Sequence, residues 1–220
     1  MAEAFIFFFI VSIFLTVIAV LVTIHTVTKS KGTDHLRLLG EEIGIDVTGG
    51  EPYFPSIQWL SFLKKPTRVN GDYRGGTTEI WHFSRGNGKS SSPYIGLKLR
   101  LENRRKLSFQ FNKEGFFSKI GKTFGMQDVK VGDVEFDKTF IVKCSDPEFI
   151  QAALLPEIME KFHKAFEQLG AKGTIKLKDN EIYYEEGGRI RSDESRARFA
   201  ALVDLCADLR ETVAVYNEDM

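Results

Sequence analysis

The chain has 220 residues, with 30 Lys and Arg against 30 Asp and Glu. A formal net charge of zero removes the electrostatic case for nucleic acid or a strongly acidic partner. Two cysteines are too few for a disulfide framework, while heavy use of Phe without any low-complexity stretch or internal repeat suits one domain with a good core.

From Ala4 to Ile24 there is no charged side chain, and Phe, Ile, Leu and Val dominate. About 20 residues rising about 1.5 Å each span the roughly 30 Å of bilayer hydrocarbon. The preceding Met1-Ala2-Glu3-Ala4 is acidic, and Thr23 to Val27 offers no small-x-small cleavage site, so the run reads as a signal anchor rather than a cleaved signal. A buried core helix is the alternative; the unbroken Phe5 to Ile10 argues against it. Residues 1–27 are therefore expected to form a single transmembrane anchor, touching the lipid bilayer through residues 4–27. Residues 28–32 form a polar juxtamembrane linker, and residues 33–220 one domain. Lys29, Lys31 and Arg37 follow the span and no Lys or Arg precedes it, which places the N-terminus outside and the domain in the cytoplasm. Cys144 and Cys206, read as free buried thiols, suit a reducing compartment. Ser12 and Thr16 make only a weak small-xxx-small pair, so dimerisation of the span is not indicated.

Thr33 or Asp34 can cap a helix running to about Ile43, with Leu36, Leu38 and Leu39 apolar. A short strand follows from Ile45 to Thr48, then a compact apolar stretch from Glu51 to Lys65. Beyond Thr67 the hydrophobic period changes to two. Arg68 to Tyr73 and Thr77 to Phe83 read as a hairpin closed by a primed turn at Gly75-Gly76. Arg85 to Ser92 is a Gly/Ser loop. Tyr94 to Leu101 and Leu107 to Phe111 read as a second hairpin, giving a meander of at least four antiparallel strands. Val129 to Val142 reads as strand with a break near Gly132-Asp133. Ser145 and Glu148 fit a capping box for a helix that reaches Gly170, bent at Pro156. Thr174 to Lys178 and Glu181 to Glu185 form a last hairpin around Asp179-Asn180. The final helix spans Ser192 to about Asn217, with Phe199, Leu202, Val203, Cys206, Leu209 and Val213 as its core stripe. The expected class is α+β, an antiparallel sheet covered on one face by long helices.

Gly132-Asp133-Val134-Glu135-Phe136-Asp137 with Phe140 and Val142, then Asp146, then Ala152-Ala153-Leu154-Leu155-Pro156, resembles a segment of bacterial membrane-anchored domains of unknown function. The opening Gly44-x-x-x-Thr48-Gly49-Gly50 after a helix is similar too. The resemblance implies the anchored architecture and the membrane location. It implies no particular activity, because those domains carry no assigned one.

Asp133, Glu135 and Asp137 would share one face of a strand and could hold a hard cation; a solvated strand face or strand-end turn is the reading taken. Gly86-Asn87-Gly88-Lys89-Ser90 matches only the end of a phosphate loop, since Phe83 stands where its first Gly should be. His25, His35, His82 and His163 have no metal spacing, and no nucleophile elbow or Cys/His pattern occurs. No cofactor or metal is expected. The segment Gly115 to Gly125 is the candidate contact site. Phe116, Phe117, Ile120 and Phe124 with Lys119 and Lys122 could dip into anionic lipid, or the rings could tuck into the core. The function expected is a non-enzymatic, membrane-tethered cytoplasmic domain that binds a protein partner or helps organise a membrane complex. The alternatives are an enzyme whose site is assembled from dispersed polar residues and a peripheral lipid-contacting module.

Overall fold

In the computed structural model the described residues are 11–20, 22, 35–51, 65–86, 90–115 and 126–218. Residues 11–20 are helical, with Phe14 and Leu15 exposed by 66% and 60%. Among the described residues no helix is long and apolar enough to cross a membrane. The rest of the anchor and the whole linker lie outside them, as do residues 52–64.

The domain is α+β, as expected. Helix α1 (35–43) buries Leu36 and Leu39, while Leu38 points out. Strand β1 (Val47–Thr48) follows. It pairs with β2 (Arg68–Asp72), and β2 pairs with β3 (Thr77–Arg85). In the β2–β3 turn Tyr73 and Gly76 exchange backbone hydrogen bonds of 3.0 and 3.3 Å. The turn is primed, but its central pair is Arg74 (φ 52°) and Gly75 (φ 83°) rather than Gly75 and Gly76.

Strand β4 (Ser92–Arg100) extends this meander, and there the expectation of a second hairpin fails. The next strand, β5 (Phe109–Lys113), does not return along β4. The sheet order is β1-β2-β3-β4-β9-β8-β5-β7-β6, with the late hairpin β8 (Thr174–Lys178) and β9 (Glu181–Gly187) inserted between β4 and β5. Asn103 explains the detour. Its Nδ2 donates to Leu107 O and Asp179 O, and its Oδ1 accepts from Leu107 N at 2.9 Å. Leu101 N donates to Asn180 O at 3.0 Å. The connection is thus pinned across the end of the β8–β9 hairpin, and β5 arrives on its far side. Strands β6 (Gln127–Val129) and β7 (Phe140–Cys144) complete a sheet that has nine strands among the described residues, each described pair antiparallel.

Between β6 and β7 the expected strand is partly helix. α2 runs Val134–Thr139, capped by Asp133, whose Oδ1 accepts from Glu135 N at 3.0 Å and Phe136 N at 2.8 Å. Asp137 accepts from Val131 N at 2.9 Å and Gly132 N at 3.1 Å. Asp133, Glu135 and Asp137 therefore do not line a strand face; two of them satisfy backbone N–H groups. The next helix, α3 (Pro147–Ala153), is capped by Asp146, not by Ser145. Ser145 instead extends the β5–β7 ladder, bonded through both its backbone N–H and its Oγ to Ser108. At Pro156 the helix breaks rather than bends. Proline drives the preceding residue out of the helical region, and Leu155 has ψ 156°. α4 (Pro156–His163) starts anew and ends in a π-helical turn, Lys164–Gln168.

α5 (Asp193–Glu218) buries Phe199, Leu202, Val203, Cys206, Leu209 and Val213, the whole expected stripe. Between it and the sheet runs a chain of rings. Phe111 meets Phe162 at 4.7 Å, Phe140 meets Phe166 at 5.5 Å, and Tyr184 meets Phe199 at 5.9 Å between centroids. Rings at these spacings add edge and offset contacts to their burial. An ion pair from the half-buried Arg198 to the buried Glu186 at 2.8 Å ties α5 to β9 on the same face.

Candidate functional site

The Phe/Lys residues singled out from the sequence, Phe116, Phe117, Lys119, Ile120, Lys122 and Phe124, lie outside the described residues, as do His25 and residues 87–89. The other histidines are dispersed. His82 Nε2 accepts from Ile190 N at 3.2 Å. Burial, with lesser help from Arg189 and Arg191, pushes its pKa down to about 4. His163 bonds Glu167 at 2.7 Å and sets its ring edge against Phe136 and Phe140. His35 stands 3.9 Å from Asp193. Among the described residues no group of three His, Cys, Asp or Glu side chains could hold a metal ion. Cys144 and Cys206 are free and buried, in separate elements; burial raises the Cys144 thiol to about 11 and the Cys206 thiol further. These are inert core thiols.

Two other places gather polar chemistry. One is a cleft of about 280 Å³ where the β2–β3 turn, the end of β4 and the last turns of α5 meet. Arg210 lines it and is only 5% exposed. Its Nη2 donates to Tyr73 O at 2.8 Å and Arg74 O at 2.6 Å. Among the described residues its Nη1 has no partner. Gly76 makes the close approach possible, since a Cβ there would fall 2.3 Å from Nη1. Burial lowers the Arg210 pKa, against the more distant pull of Glu211 and Asp72. Asn217, 6% exposed, lines the same cleft. Its Nδ2 donates to Glu102 O at 2.7 Å, and among the described residues its Oδ1 has no partner.

The neighbouring charges are engaged. Arg74 reaches Asp204 at 2.7 Å, Asp208 at 2.8 Å and Glu211 at 2.6 Å. Lys161 joins Asp204 and Asp208 from α4. Together these pairs clamp the β2–β3 turn and α4 onto α5. Glu102 pairs with Arg104 at 2.9 Å. Arg100, at the mouth, is held only loosely, 3.7 Å from both Glu79 and Glu181.

The second place is the sheet face turned away from α5. Tyr184 points to that helix, so Tyr183 and Glu185 point to the other side. Register sets Trp81, Gly96 and Glu185 in one row, Glu79, Lys98 and Tyr183 in the next, and Phe83 beside Tyr94. The Trp81 ring lies flat over Gly96, where a Cβ would fall 2.7 Å from it. Centroids are 6.2 Å apart for Trp81–Phe83, 6.0 Å for Trp81–Tyr183 and 5.6 Å for Phe83–Tyr94. Arg85 sits over Tyr94 at 4.8 Å and bridges to Glu185 at 2.7 Å; Lys98 sits 5.9 Å from the Trp81 ring. All four rings are half-buried. Burial and the Glu185 carboxylate, which accepts the Tyr183 hydroxyl, hold the Tyr183 pKa well above its ordinary value. Sequence reasoning saw the alternation on each strand. It had no means of seeing that β3, β4 and β9 are neighbours.

No protein-family model matches the sequence, and no curated protein matches it. The fold is similar to that in the crystal structure of the mycobacterial trehalose monomycolate transport factor A, TtfA, with a TM-score of 0.50 and 12% identity. The likeness covers 83% of this chain and 94% of that one. At that identity it concerns the fold.

Proposed function

We propose that this chain is a membrane-tethered, non-enzymatic component of a membrane assembly, and that it docks a protein partner on the aromatic shelf of Trp81, Phe83, Tyr94 and Tyr183. The shelf carries the reading. Half-buried aromatic rings beside an arginine, rimmed by charges of both signs, have the composition of interface hot spots. The tether rests on the uncharged run from Ala4 to Ile24. Lys29, Lys31 and Arg37 on its C-terminal side put the domain in the cytoplasm under the positive-inside rule. Kinship with the bacterial membrane-anchored domains that the Gly132–Pro156 segment resembles is part of the same proposal. The fold shared with a factor named for trehalose monomycolate transport supports a lipid-handling assembly as the setting.

The test uses the full chain in its native membrane. A photo-crosslinking amino acid at Tyr94 is expected to capture a discrete partner, whereas one at the exposed Glu157 of α4 is not. A reporter fused after Met220 is expected to behave as cytosolic. Equal capture at both positions, or none at Tyr94, defeats the docking assignment; activity of an export-dependent reporter defeats the topology.

A further inference from the structure

We propose that the Arg210 cleft is a binding site for a phosphate monoester or diester that carries a neighbouring hydroxyl, such as a glycerol phosphate unit. The inference is independent of the aromatic shelf. It starts from an imbalance. Arg210 is a buried cation with one donor atom unused, and among the described residues it makes no ion pair. A buried charge without a counter-ion is costly, and two carbonyl acceptors satisfy hydrogen bonds without cancelling charge. Nη1 and Asn217 Oδ1 are sealed from bulk solvent, and a neutral water would leave the charge uncompensated.

The lining specifies the ligand. Two of its three carboxylates are paired: Glu211 holds Arg74 and Glu102 holds Arg104, while Glu218 is exposed. The other groups left over are cationic or accepting. Arg210 has an unpaired guanidinium N–H that packs beside Gly76, Arg100 adds loosely held positive charge at the mouth, and Asn217 has an unpaired amide oxygen. Asn217 Nδ2 is fixed by Glu102 O, so the free atom is the oxygen, which needs a donor from the ligand. A bare anion would leave that acceptor empty; an anion with a hydroxyl close by serves both. Guanidinium suits phosphate oxygens in particular. A volume of about 280 Å³ falls just below the roughly 300 Å³ at which sites for drug-sized ligands begin, so it suits a small ester.

The chemistry can come from a free phosphate ester or from the headgroup of phosphatidylglycerol. The full chain in phosphatidylcholine nanodiscs is titrated calorimetrically with inorganic phosphate and with glycerol phosphate. Saturable binding is expected for both, tighter for glycerol phosphate because only it reaches Asn217. Ala214→Glu adds a negative charge at the cleft wall on an exposed helical position. It is expected to weaken glycerol phosphate at least tenfold with thermal unfolding unchanged. Arg210→Gln is expected to abolish binding; should it not fold, Ala214→Glu and Arg100→Gln carry the test. Repeating the titration in phosphatidylglycerol nanodiscs assigns the source. Lower apparent affinity means the headgroup already occupies the cleft, and unchanged affinity means a free ester is the ligand. A flat titration in phosphatidylcholine, or an Ala214→Glu chain that binds like wild type, overturns the proposal.

Discussion

Phe136 sits on α2 and Phe140 opens β7, with ring centroids 4.6 Å apart and both rings against Phe162. Their spacing of four fits either a strand that alternates or a helix that turns once, so the sequence placed both rings inward correctly while misreading the backbone of one. Both are fully buried, and Phe136→Ala or Phe140→Ala is expected to cost about 3–5 kcal/mol in urea unfolding. Asp137 differs from its sequence reading. Its carboxylate receives the Val131 and Gly132 N–H groups, so Asp137→Ala is expected to cost about 1–3 kcal/mol. Asp137→Asn keeps one accepting oxygen and should cost less. Near-neutral values for both Phe variants would show that these rings do not form the core.

At the scale of elements, the link between β9 and α5 is held through His82, which reaches across from β3 to Ile190 N. The ring must be neutral to accept. Unfolded, His82 takes up a proton near 6.5; folded, it does so only near 4. Between those values the unfolded state binds more protons, so stability is full above pH 6.5 and falls as pH is lowered through the window. A displacement of that size is worth about 3 kcal/mol. The variant His82→Gln removes the titration. The stability difference between wild type and variant is expected to shrink from pH 7 to 4.5, since carboxylates titrate alike in both. A difference independent of pH would mean that the imidazole is not held neutral.

For the whole molecule, Leu36, Leu39 and Ile45 belong to the same core as the sheet and α5. The domain therefore begins before β1. A fragment of residues 31–220 is expected to unfold in one cooperative transition by calorimetry, and one starting at Glu51 to be markedly less stable, having lost three fully or nearly fully buried side chains. Failure of residues 31–220 to fold alone would show that the domain depends on its membrane segment or on a partner.

The α5 stripe, the Asp179-Asn180 hairpin and the β2–β3 hairpin were all legible from the chain. Periodicity and turn chemistry act between residues a few positions apart, and the sequence by itself determined them, together with the α+β class and the uncharged N-terminal run. Strand order was not legible. β5 looked like the hairpin partner of β4 because it comes next, but β4 pairs with β9 and β5 with β8, and Asn103 and Leu101 pin the connection across the distant β8–β9 turn. Both candidate sites follow from such placements. The shelf needs β9 beside β4, and the cleft needs Arg210 and Asn217 of α5 against the Arg74 turn and the end of β4. The tertiary structure alone decided these, because hydrophobic pattern records which face of an element is buried and not which element lies against it.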